Sequence, residues 1–493
     1  MNEFPFEKAT RGKQIPPWMF GSRLGMISAG IPTSYGQEEL RRQLLALLLT
    51  LRQKHLLAPC LNIPARDALT VDEYHGQKIE DPYRWLEELD SEETKAWVAA
   101  QSQVTSSYLE QLPARNKLRQ RLTKLWNFER YGLPQKHGNR YFFARNSGLE
   151  NQNAVYWMEG LQGATRLLLD PNTLSSDGTV ALANWVISDN GKYMAYGIAT
   201  AGSDWQEWKI LEVDTGRSFA EKLQWVKFSR IAWTPDNLGF FYSRYDEPKP
   251  GEKYTGVNYY QKLYYHRLGQ PQSEDKLIYE RKDEKEWGFD GEVSEDGKHL
   301  IISIWKGTAR KNQVFLKHLD KADSPVIELI TGFDAAYEYL GHEGEQILLQ
   351  TDLDAPRRRI VAITNESPDR STWKTIVPET EDVLEGSSIV GPHLILHYLQ
   401  DAKSAVKVYS LTGELERQLE LPSLGTVSGF RGKRSESETF FSFTNYTTPT
   451  SLYHYDISTG KSTIFRAPKV DFDPSKFESK QVFYTSRDGT KFP

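Results

Sequence analysis

Short apolar runs separated by clusters of turn-forming residues repeat along the chain after Gly132. Three of these clusters each follow one apolar run and precede another: residues 188–192 (SDNGK), 234–237 (TPDN) and 294–298 (SEDGK). Asp, Asn, Gly and Pro suit tight turns, and short apolar or aromatic runs between such turns are typical of β-strands. The pattern therefore predicts consecutive antiparallel hairpins.

The turn clusters also recur at a regular distance, since those of the first kind begin 46 and 60 residues apart. A second kind ends in Thr-Gly and occurs at 214–216 (DTG), 411–413 (LTG) and 458–460 (STG). Four short strands in each period of about 50 residues are typical of a β-propeller. Residues 135–480 would hold about seven such blades. We therefore predict a mainly β protein with a seven-bladed propeller. A β-sandwich needs fewer strands, and a Rossmann or TIM fold needs long helices between them.

The segment before the propeller has a helical pattern instead. Two signals mark helix N-termini: Asp81 followed by Pro82, and Ser91-Glu92-Glu93, which places two acidic residues at the start of a helix. Apolar residues then recur at helical spacing at Trp97, Val104, Tyr108 and Leu112. We predict helices over 63–134, too few to form a domain of their own.

Residues 1–62 are expected to be an extension of uncertain order. A helix is predicted at 36–57, but its purely apolar stretch, 44–49, is too short to cross a bilayer. The position of this segment and its charges also make it a poor secretory signal. We expect a cytoplasmic protein with no membrane partner.

Composition excludes several function classes. Lys and Arg number 61 against 66 Asp and Glu, a net charge of −5, whereas nucleic-acid binders usually carry an excess of positive charge. Cys60 is the single cysteine, so no intramolecular disulfide forms. The ten histidines lack the spacings of zinc sites. We expect neither a metal nor another cofactor.

No catalytic motif is recognisable in the sequence. A serine hydrolase of the α/β class places its nucleophile in Gly-x-Ser-x-Gly, and the glycines around Ser428 have the wrong spacing. At 481–493 (QVFYTSRDGTKFP) a new strand–turn–strand begins at the end of the sequence, which we interpret as a truncation before another domain. From motifs alone, a stand-alone propeller acting as an interaction scaffold is the leading hypothesis.

Six segments nevertheless resemble the prolyl oligopeptidase family of serine peptidases, in the family's order. They are 81–87 (DPYRWLE), 201–205 (AGSDW), 261–266 (QKLYYH), 351–362 (TDLDAPRRRIVA), 443–456 (FTNYTTPTSLYHYD) and 482–492 (VFYTSRDGTKF). The resemblance spans residues 63–493. It implies that 63–134 and 481–493 belong to an α/β-hydrolase domain whose remainder, with its Ser, Asp and His, is absent from this chain.

The resemblance also implies a function. The whole protein would cleave short peptides after proline, with serine as nucleophile, histidine as general base and aspartate orienting the histidine. The propeller would gate access to the active site and exclude folded proteins. The chain alone, without catalytic residues, is expected to be inactive, and the complete protein is expected to be a monomer.

One substrate-binding residue is implied for the propeller. Phe228, in 225–229 (WVKFS), matches a family phenylalanine that lines the substrate cleft, although an ordinary inward-facing blade residue would give the same pattern. Gly288 stands where better-known members have a bulkier apolar residue, which leaves the subsite preferences open. A sister peptidase that prefers basic residues is the remaining alternative.

Overall fold

The computed structural model describes residues 70–493 except 250, 255, 322 and 365–368. The extension 1–62, the helix predicted at 36–57 and Cys60 lie outside the described residues. The chain divides into two compact units, residues 1–117 and 118–493. Among the described residues, no helix is both long and apolar enough to span a bilayer.

The first unit contains a β-hairpin followed by helices. The hairpin consists of β1 (Thr70–Tyr74) and β2 (Gln77–Asp81), and the helices are a 3-10 turn (Arg84–Glu87), α1 (Glu92–Glu110) and the beginning of α2 (Arg115–Trp126). The Ser91 hydroxyl caps α1 by accepting a hydrogen bond from the backbone N–H of Thr94 at 3.1 Å. The Asp81 carboxylate accepts from the backbone N–H of Tyr83 at 3.0 Å, but only a short 3-10 turn without a side-chain cap follows it, in place of the predicted helix.

The second unit contains seven antiparallel sheets in chain order. Blade 1 consists of β3 (Arg130–Tyr131), β4 (Gln135–His137), β5 (Arg140–Asn146), β6 (Ala154–Glu159) and β7 (Arg166–Leu169). Blade 2 consists of β8 (Val180–Ile187), β9 (Tyr193–Thr200), β10 (Gln206–Glu212) and β11 (Leu223–Val226). Blade 3 consists of β12 (Ala232–Trp233), β13 (Gly239–Arg244), β14 (Lys262–Arg267) and β15 (Lys276–Tyr279).

The remaining blades follow the same order. Blade 4 consists of β16 (Trp287–Val293), β17 (His299–Lys306), β18 (Gln313–His318) and β19 (Val326–Ile330). Blade 5 consists of β20 (Tyr337–Glu343), β21 (Gln346–Thr351), β22 (Arg359–Thr364) and β23 (Lys374–Val377). Blade 6 consists of β24 (Val383–Val390), β25 (His393–Gln400), β26 (Lys403–Ser410) and β27 (Leu415–Gln418). Blade 7 consists of β28 (Thr426–Arg431), β29 (Glu438–Thr444), β30 (Ser451–Asp456) and β31 (Lys461–Arg466), and a small hairpin of β32 (Tyr484–Thr485) and β33 (Lys491–Phe492) follows it.

These sheets are the blades of a seven-bladed β-propeller, as predicted. First strands of neighbouring blades contact each other between β12 and β16, β20 and β24, and β24 and β28, as expected for the strands nearest the axis of the ring. The turns at 188–192, 234–237 and 294–298 join first to second strands, and the Thr-Gly turns join third to fourth strands. Both kinds therefore lie on one face, which we call the hairpin face. The opposite face, where each first strand begins, is called the start face. The limits 63–134, 135–480 and 481–493 stay predictions.

The core is built between blades. One buried cluster combines Ile301 and Leu316 of blade 4 with Ile347, Leu349 and Val361 of blade 5, all at most 2% exposed. Burying an aliphatic side chain of this kind stabilises the fold by about 1.5–3 kcal/mol. Because such clusters occupy several blade-to-blade interfaces, each blade depends on its neighbours for its apolar cover.

Side chains join the first and last blades, since no strand among the described residues is shared between them. The carboxylate of Glu438 in blade 7 accepts hydrogen bonds from Lys136 Nζ and Tyr141 Oη of blade 1, both at 2.5 Å. Within blade 7 it also pairs with His454 Nε2 at 2.6 Å. The ring of Phe440 packs edge-on against Tyr141. We call this junction the seam.

The loop between β28 and β29, residues 432–437, crosses the hairpin face. Lys433 Nζ donates to Asp189 Oδ1 of blade 2 at 2.9 Å. The backbone N–H of Arg434 donates to Glu295 Oε2 of blade 4 at 2.9 Å, and its guanidinium reaches Glu343 Oε2 of blade 5 at 2.6 Å. A loop of blade 7 that meets blades 2, 4 and 5 must pass over the centre of the ring.

Candidate functional site

The connection between blades 2 and 3 presents Phe228 at the start face. It follows β11 and precedes β12, and both Trp225 and Phe228 have left-handed backbone torsions, with φ of 59° and 54°. Residues other than glycine pay of order 1–3 kcal/mol for such torsions, so neighbouring groups must impose them. The strain indicates that the fold specifies where the Phe228 ring points.

Gln261 is the main group that holds this connection. Its side chain is buried, and its amide nitrogen donates to the carbonyl oxygens of Lys227 at 2.9 Å and Phe228 at 3.4 Å. Its amide oxygen accepts from the backbone N–H of Phe289 in β16 at 2.7 Å. One buried amide therefore ties the strained turn to the innermost strand of blade 4.

Two serines complete the support. The Ser229 hydroxyl accepts from the backbone N–H of Ser243 at 2.7 Å, and its O–H donates to the Arg230 carbonyl at 2.9 Å. The Ser243 hydroxyl, itself buried, donates to the Phe289 carbonyl at 2.7 Å. Together with Gln261, these bonds satisfy the carbonyl oxygens of Lys227, Phe228 and Arg230 without covering the Phe228 ring.

Phe228 borders a cleft of about 1350 Å³ on the start face. Its side chain is 52% exposed, which is unusual for a ring that the backbone holds so firmly. The ring of Trp305 meets it edge-to-face, with centroids 6.2 Å apart and planes at 89°. Tyr245 and Tyr259 add further aromatic surface to the cleft. The structure thus places the predicted residue at an accessible apolar wall.

Gly288 lies beneath the Trp305 ring. The two residues are cross-strand partners in β16 and β17. A Cβ atom added at Gly288 would lie 2.0 Å from Trp305 Cζ2, so the indole occupies the space that a side chain at this position would take. The bulk that the sequence lacks at Gly288 is therefore supplied from the neighbouring strand.

The charges around the cleft are paired. Arg230 Nε lies 3.4 Å from Asp290 Oδ2, and the backbone N–H of Arg230 donates to the same carboxylate. Burial raises the pKa of Asp290, although Arg230 opposes the shift. Lys227 is largely buried, with its ammonium 5.0 Å from the Trp205 ring and 5.4 Å from the Phe228 ring. An uncharged ligand group therefore fits this wall better than an ionic one.

A serine–histidine contact occurs in blade 6, where Ser404 Oγ lies 2.8 Å from His397 Nε2, but Ser404 is buried and its hydroxyl oxygen also accepts from the backbone N–H of Val427. Ser428 Oγ has the hydroxyl of Ser442 as its partner at 2.9 Å. A histidine–carboxylate pair exists in blade 3, where His266 Nδ1 lies 2.7 Å from Asp275 Oδ1, but both side chains are at most 1% exposed. Among the residues that the structure describes, no three His, Cys, Asp or Glu side chains are grouped as a metal site.

Comparison with known proteins gives the context of this cleft. Residues 64–468 match the family model described as prolyl oligopeptidase, N-terminal beta-propeller domain. The chain belongs to the prolyl oligopeptidase family. Among its relatives in this family, prolyl endopeptidase of Elizabethkingia miricola is 40% identical over 422 residues, covering 86% of this chain and 59% of the relative. Prolyl oligopeptidase A of Galerina marginata is 33% identical over 473 residues, covering 87% and 63%.

Solved structures agree with this assignment to the prolyl oligopeptidase family. A chain from a structural and mechanistic analysis of two prolyl endopeptidases superposes with a TM-score of 0.77 at 33% identity, covering 87% of this chain and 63% of that one. Prolyl oligopeptidase B from Galerina marginata, bound to a 35mer hydrolysis and macrocyclization substrate, gives a TM-score of 0.75 at 26% identity. The chain spans about three fifths of the length of these relatives.

Sequence reasoning found Phe228 but missed the groups that define its surroundings. Trp305 and the buried amide of Gln261 were not predicted to contribute to a site. For Trp305 a signal exists in the turn at 294–298, because a hairpin that pairs Ser294 with His299 also pairs Gly288 with Trp305. For Gln261 the sequence offers no such signal, since its partners lie in the connection between blades 2 and 3 and in blade 4.

Proposed function

We propose that this chain is the propeller portion of a serine endopeptidase that cleaves short peptides on the carboxyl side of proline. The observation that carries the proposal is the match to the prolyl oligopeptidase propeller over residues 64–468, together with 40% identity to a prolyl endopeptidase. We place the Ser, His and Asp of the reaction in the part of the relatives' length that this chain does not span. The chain as given is therefore proposed to be inactive alone.

The role proposed for the propeller is to limit access. First strands of neighbouring blades contact each other and the loop 432–437 crosses the hairpin face, so we expect only a narrow space along the axis. An extended peptide fits such a space, whereas a folded domain does not. Phe228 is proposed to form an apolar wall for the bound peptide on the start face, since its ring is exposed in the cleft and fixed by Gln261.

The proposed partners are short proline-containing peptides. The net charge of −5 and the paired charges of the cleft give no support to nucleic acid as a ligand. We propose a cytoplasmic location and a monomeric complete enzyme, in which the propeller and the catalytic domain belong to one chain. Size-exclusion chromatography with light scattering of that enzyme checks the monomer.

The test is to restore a catalytic domain. The chain is joined at its C-terminal end to the part of Elizabethkingia miricola prolyl endopeptidase that follows the matched region, and hydrolysis of a fluorogenic Gly-Pro peptide is measured. We expect turnover that a serine-reactive phosphonate blocks, and none from the unextended chain. A matched peptide with alanine in place of proline should be cleaved far more slowly.

Two results would contradict the proposal. Equal cleavage of the alanine peptide would remove the preference for proline, and faster cleavage of a matched arginine peptide would favour the basic-specific sister peptidase. A fusion that folds, as judged by a cooperative thermal transition, but cleaves no peptide would leave the propeller as a binding scaffold. A folded protein carrying the Gly-Pro sequence in a surface loop should remain uncut, because access is limited by size.

A further inference from the structure

Three histidines meet on the hairpin face, where blades 4 and 5 pack together. His299 begins β17 and pairs across the strands with His318 at the end of β18, while His342 is the last but one residue of β20. The rings of His299 and His342 are stacked, with centroids 4.6 Å apart and planes at 10°, and the His318 ring lies 5.0 Å from that of His299. We call this group the histidine stack. Because the two stacked rings are nearly parallel, their nitrogen lone pairs do not converge on one point as a metal ion would need.

The packing of the histidine stack favours uncharged imidazoles. His299 is only 8% exposed, and burial lowers its pKa below the ordinary value of 6.5, although Asp296 opposes the shift. The Tyr339 hydroxyl lies 2.6 Å from Nδ1 of His342. Burial raises the pKa of Tyr339, so the phenol keeps its proton and donates it to that nitrogen. A proton added at Nδ1 of His342 would therefore have to displace this hydrogen bond.

Carboxylates approach the histidine stack from both blades. Burial alone would raise the pKa of Asp296, but hydrogen bonds from Ser294 and the backbone of Lys298 lower it, and the two stacked imidazoles act in the same direction. The other acidic groups that interact with His299 or Tyr339 are Glu292, Glu295, Asp320 and Glu345. An imidazolium formed in the stack therefore finds anionic partners around it.

Two acidic residues next to the histidine stack also hold the loop 432–437. The backbone N–H of Arg434 donates to Glu295 Oε2 at 2.9 Å, and the Arg434 guanidinium reaches Glu343 Oε2 at 2.6 Å. Glu295 belongs to the turn that leads into His299, and Glu343 directly follows His342. The positions of both anchors of Arg434 thus depend on the positions of the two stacked rings.

We propose that the histidine stack is an acid-sensitive joint between blades 4 and 5 that controls the loop 432–437. At neutral pH the uncharged rings hold the two blades together. As pH falls below 6.5, like charges in the stack repel each other and each imidazolium competes with Arg434 for the carboxylates, so Arg434 is released from Glu343. The sign is that of a base whose pKa is lowered by folding: its neutral form stabilises the native joint, and this contribution is lost as pH falls through the unfolded value. The joint requires no catalytic domain, so it is independent of the proposed peptidase.

The test measures hydrogen exchange of the chain at pH 7.5 and pH 5.5, with each rate corrected for the intrinsic pH dependence of exchange. In wild type, acid should raise the corrected rates at 343–346 and in the loop 432–437 about tenfold, the factor that corresponds to a pKa lowered by one unit. The double variant His299→Gln with His342→Gln keeps polar side chains but cannot gain charge, so this rise should largely disappear. Arg434→Ala should already show the raised rate at 343–346 at pH 7.5, and acid should add little to it.

His393→Gln is the matched control. His393 also begins a second strand, β25 of blade 6, and its Nδ1 lies 2.9 Å from Glu416 Oε2. Within the part of the chain that the structure describes, no other imidazole packs against it. Its replacement should leave the acid response of the loop 432–437 unchanged.

The outcomes decide the role of the histidine stack. An acid response that persists in a folded double variant would assign the response to carboxylates and overturn the proposal, as would its equal loss in His393→Gln. If the double variant lacks a cooperative thermal transition at pH 7.5, wild type alone decides, through an NMR titration of the His299 imidazole. That titration should have the same midpoint as the rise in exchange of the loop 432–437, and two separate midpoints would refute the coupling.

Discussion

Replacing Glu438 by glutamine should weaken the seam between blades 1 and 7. The carboxylate accepts hydrogen bonds from Lys136, Tyr141 and His454, and only 16% of its side chain is exposed. Hydrogen bonds to a charged group each contribute about 1.5–3 kcal/mol, and an amide keeps only part of this set because it has one acceptor oxygen. We expect Glu438→Gln to lower the free energy of unfolding by about 3 kcal/mol.

The effect is measurable as a shift in melting temperature. For a unit of this size, a loss of about 3 kcal/mol lowers the melting temperature by about 4 °C. The matched control is Asp334→Asn, because Asp334 also accepts from a tyrosine, Tyr337, and pairs with a cation, Arg370, but within blade 5 alone. Hydrogen exchange should accelerate in β5 and β29 of Glu438→Gln only. Unchanged exchange in both strands, or a shift below 1 °C, would refute the role of Glu438 in closing the ring.

The contribution of the Glu438 carboxylate to the free energy of unfolding should depend on pH. Burial alone would raise the pKa of Glu438, but the hydrogen bonds from Lys136, Tyr141 and His454 outweigh burial and lower the pKa below its ordinary value of 4.5. A carboxyl whose pKa is lowered in the folded state stabilises the fold above its unfolded pKa and loses that contribution as pH falls through the folded pKa. The difference between wild type and Glu438→Gln should therefore be full at pH 6 and shrink below pH 4.5. A difference that persists undiminished at pH 3 would contradict this assignment.

Three further variants test other buried or bridging groups. Asp275→Asn should lower the free energy of unfolding by about 3 kcal/mol in denaturant titrations, because its partner His266 is fully buried and would lose a charged acceptor; no change would show that the pair is dispensable. Arg434→Ala should raise hydrogen exchange in the turn at Glu343, because it removes the guanidinium but keeps the backbone N–H that binds Glu295, and high salt should produce the same increase in wild type. Desolvation by the surrounding protein raises the pKa of Glu292 to about 7, although the residue itself is exposed to solvent. The native fold therefore loses stability as pH rises from 4.5 through 7, and Glu292→Gln should melt progressively higher than wild type over that range; a constant difference would argue against the raised pKa.

Local sequence signals are sufficient to predict the strands and hairpins of the blades. The turns at 188–192 and 294–298 contain the side chains and the glycine that a tight hairpin needs, and each lies between two strands, as predicted. The hairpin of β1 and β2 was missed because its turn, His75-Gly76, is a single pair of left-handed residues within a polar segment. The 3-10 turn after Asp81 was predicted as a longer helix, since capping signals mark where a helix begins and not how far it continues.

The candidate site is harder to predict from the sequence than the blades are. Phe228 was found through resemblance, whereas its orientation depends on Gln261, whose three partners lie 28 to 34 residues away in the chain. Contacts of this kind arise only when two blades are already side by side. Trp305 is an intermediate case, because the register of one hairpin places it over Gly288 but does not show that Phe228 lies beside it.

The seam can form only late in synthesis, because it joins the first blade to the last one. Lys136 and Glu438 are separated by 302 residues, so blade 1 emerges from the ribosome long before its partner. At about 5–20 residues per second, the wait is on the order of 15–60 s. During that interval the flank of blade 1 that carries Tyr141, Phe143 and Met158 has no partner from blade 7 to cover it. The nascent chain is therefore most exposed to mispairing before the last blade is made, and a chaperone that binds apolar sheet flanks would act in that window.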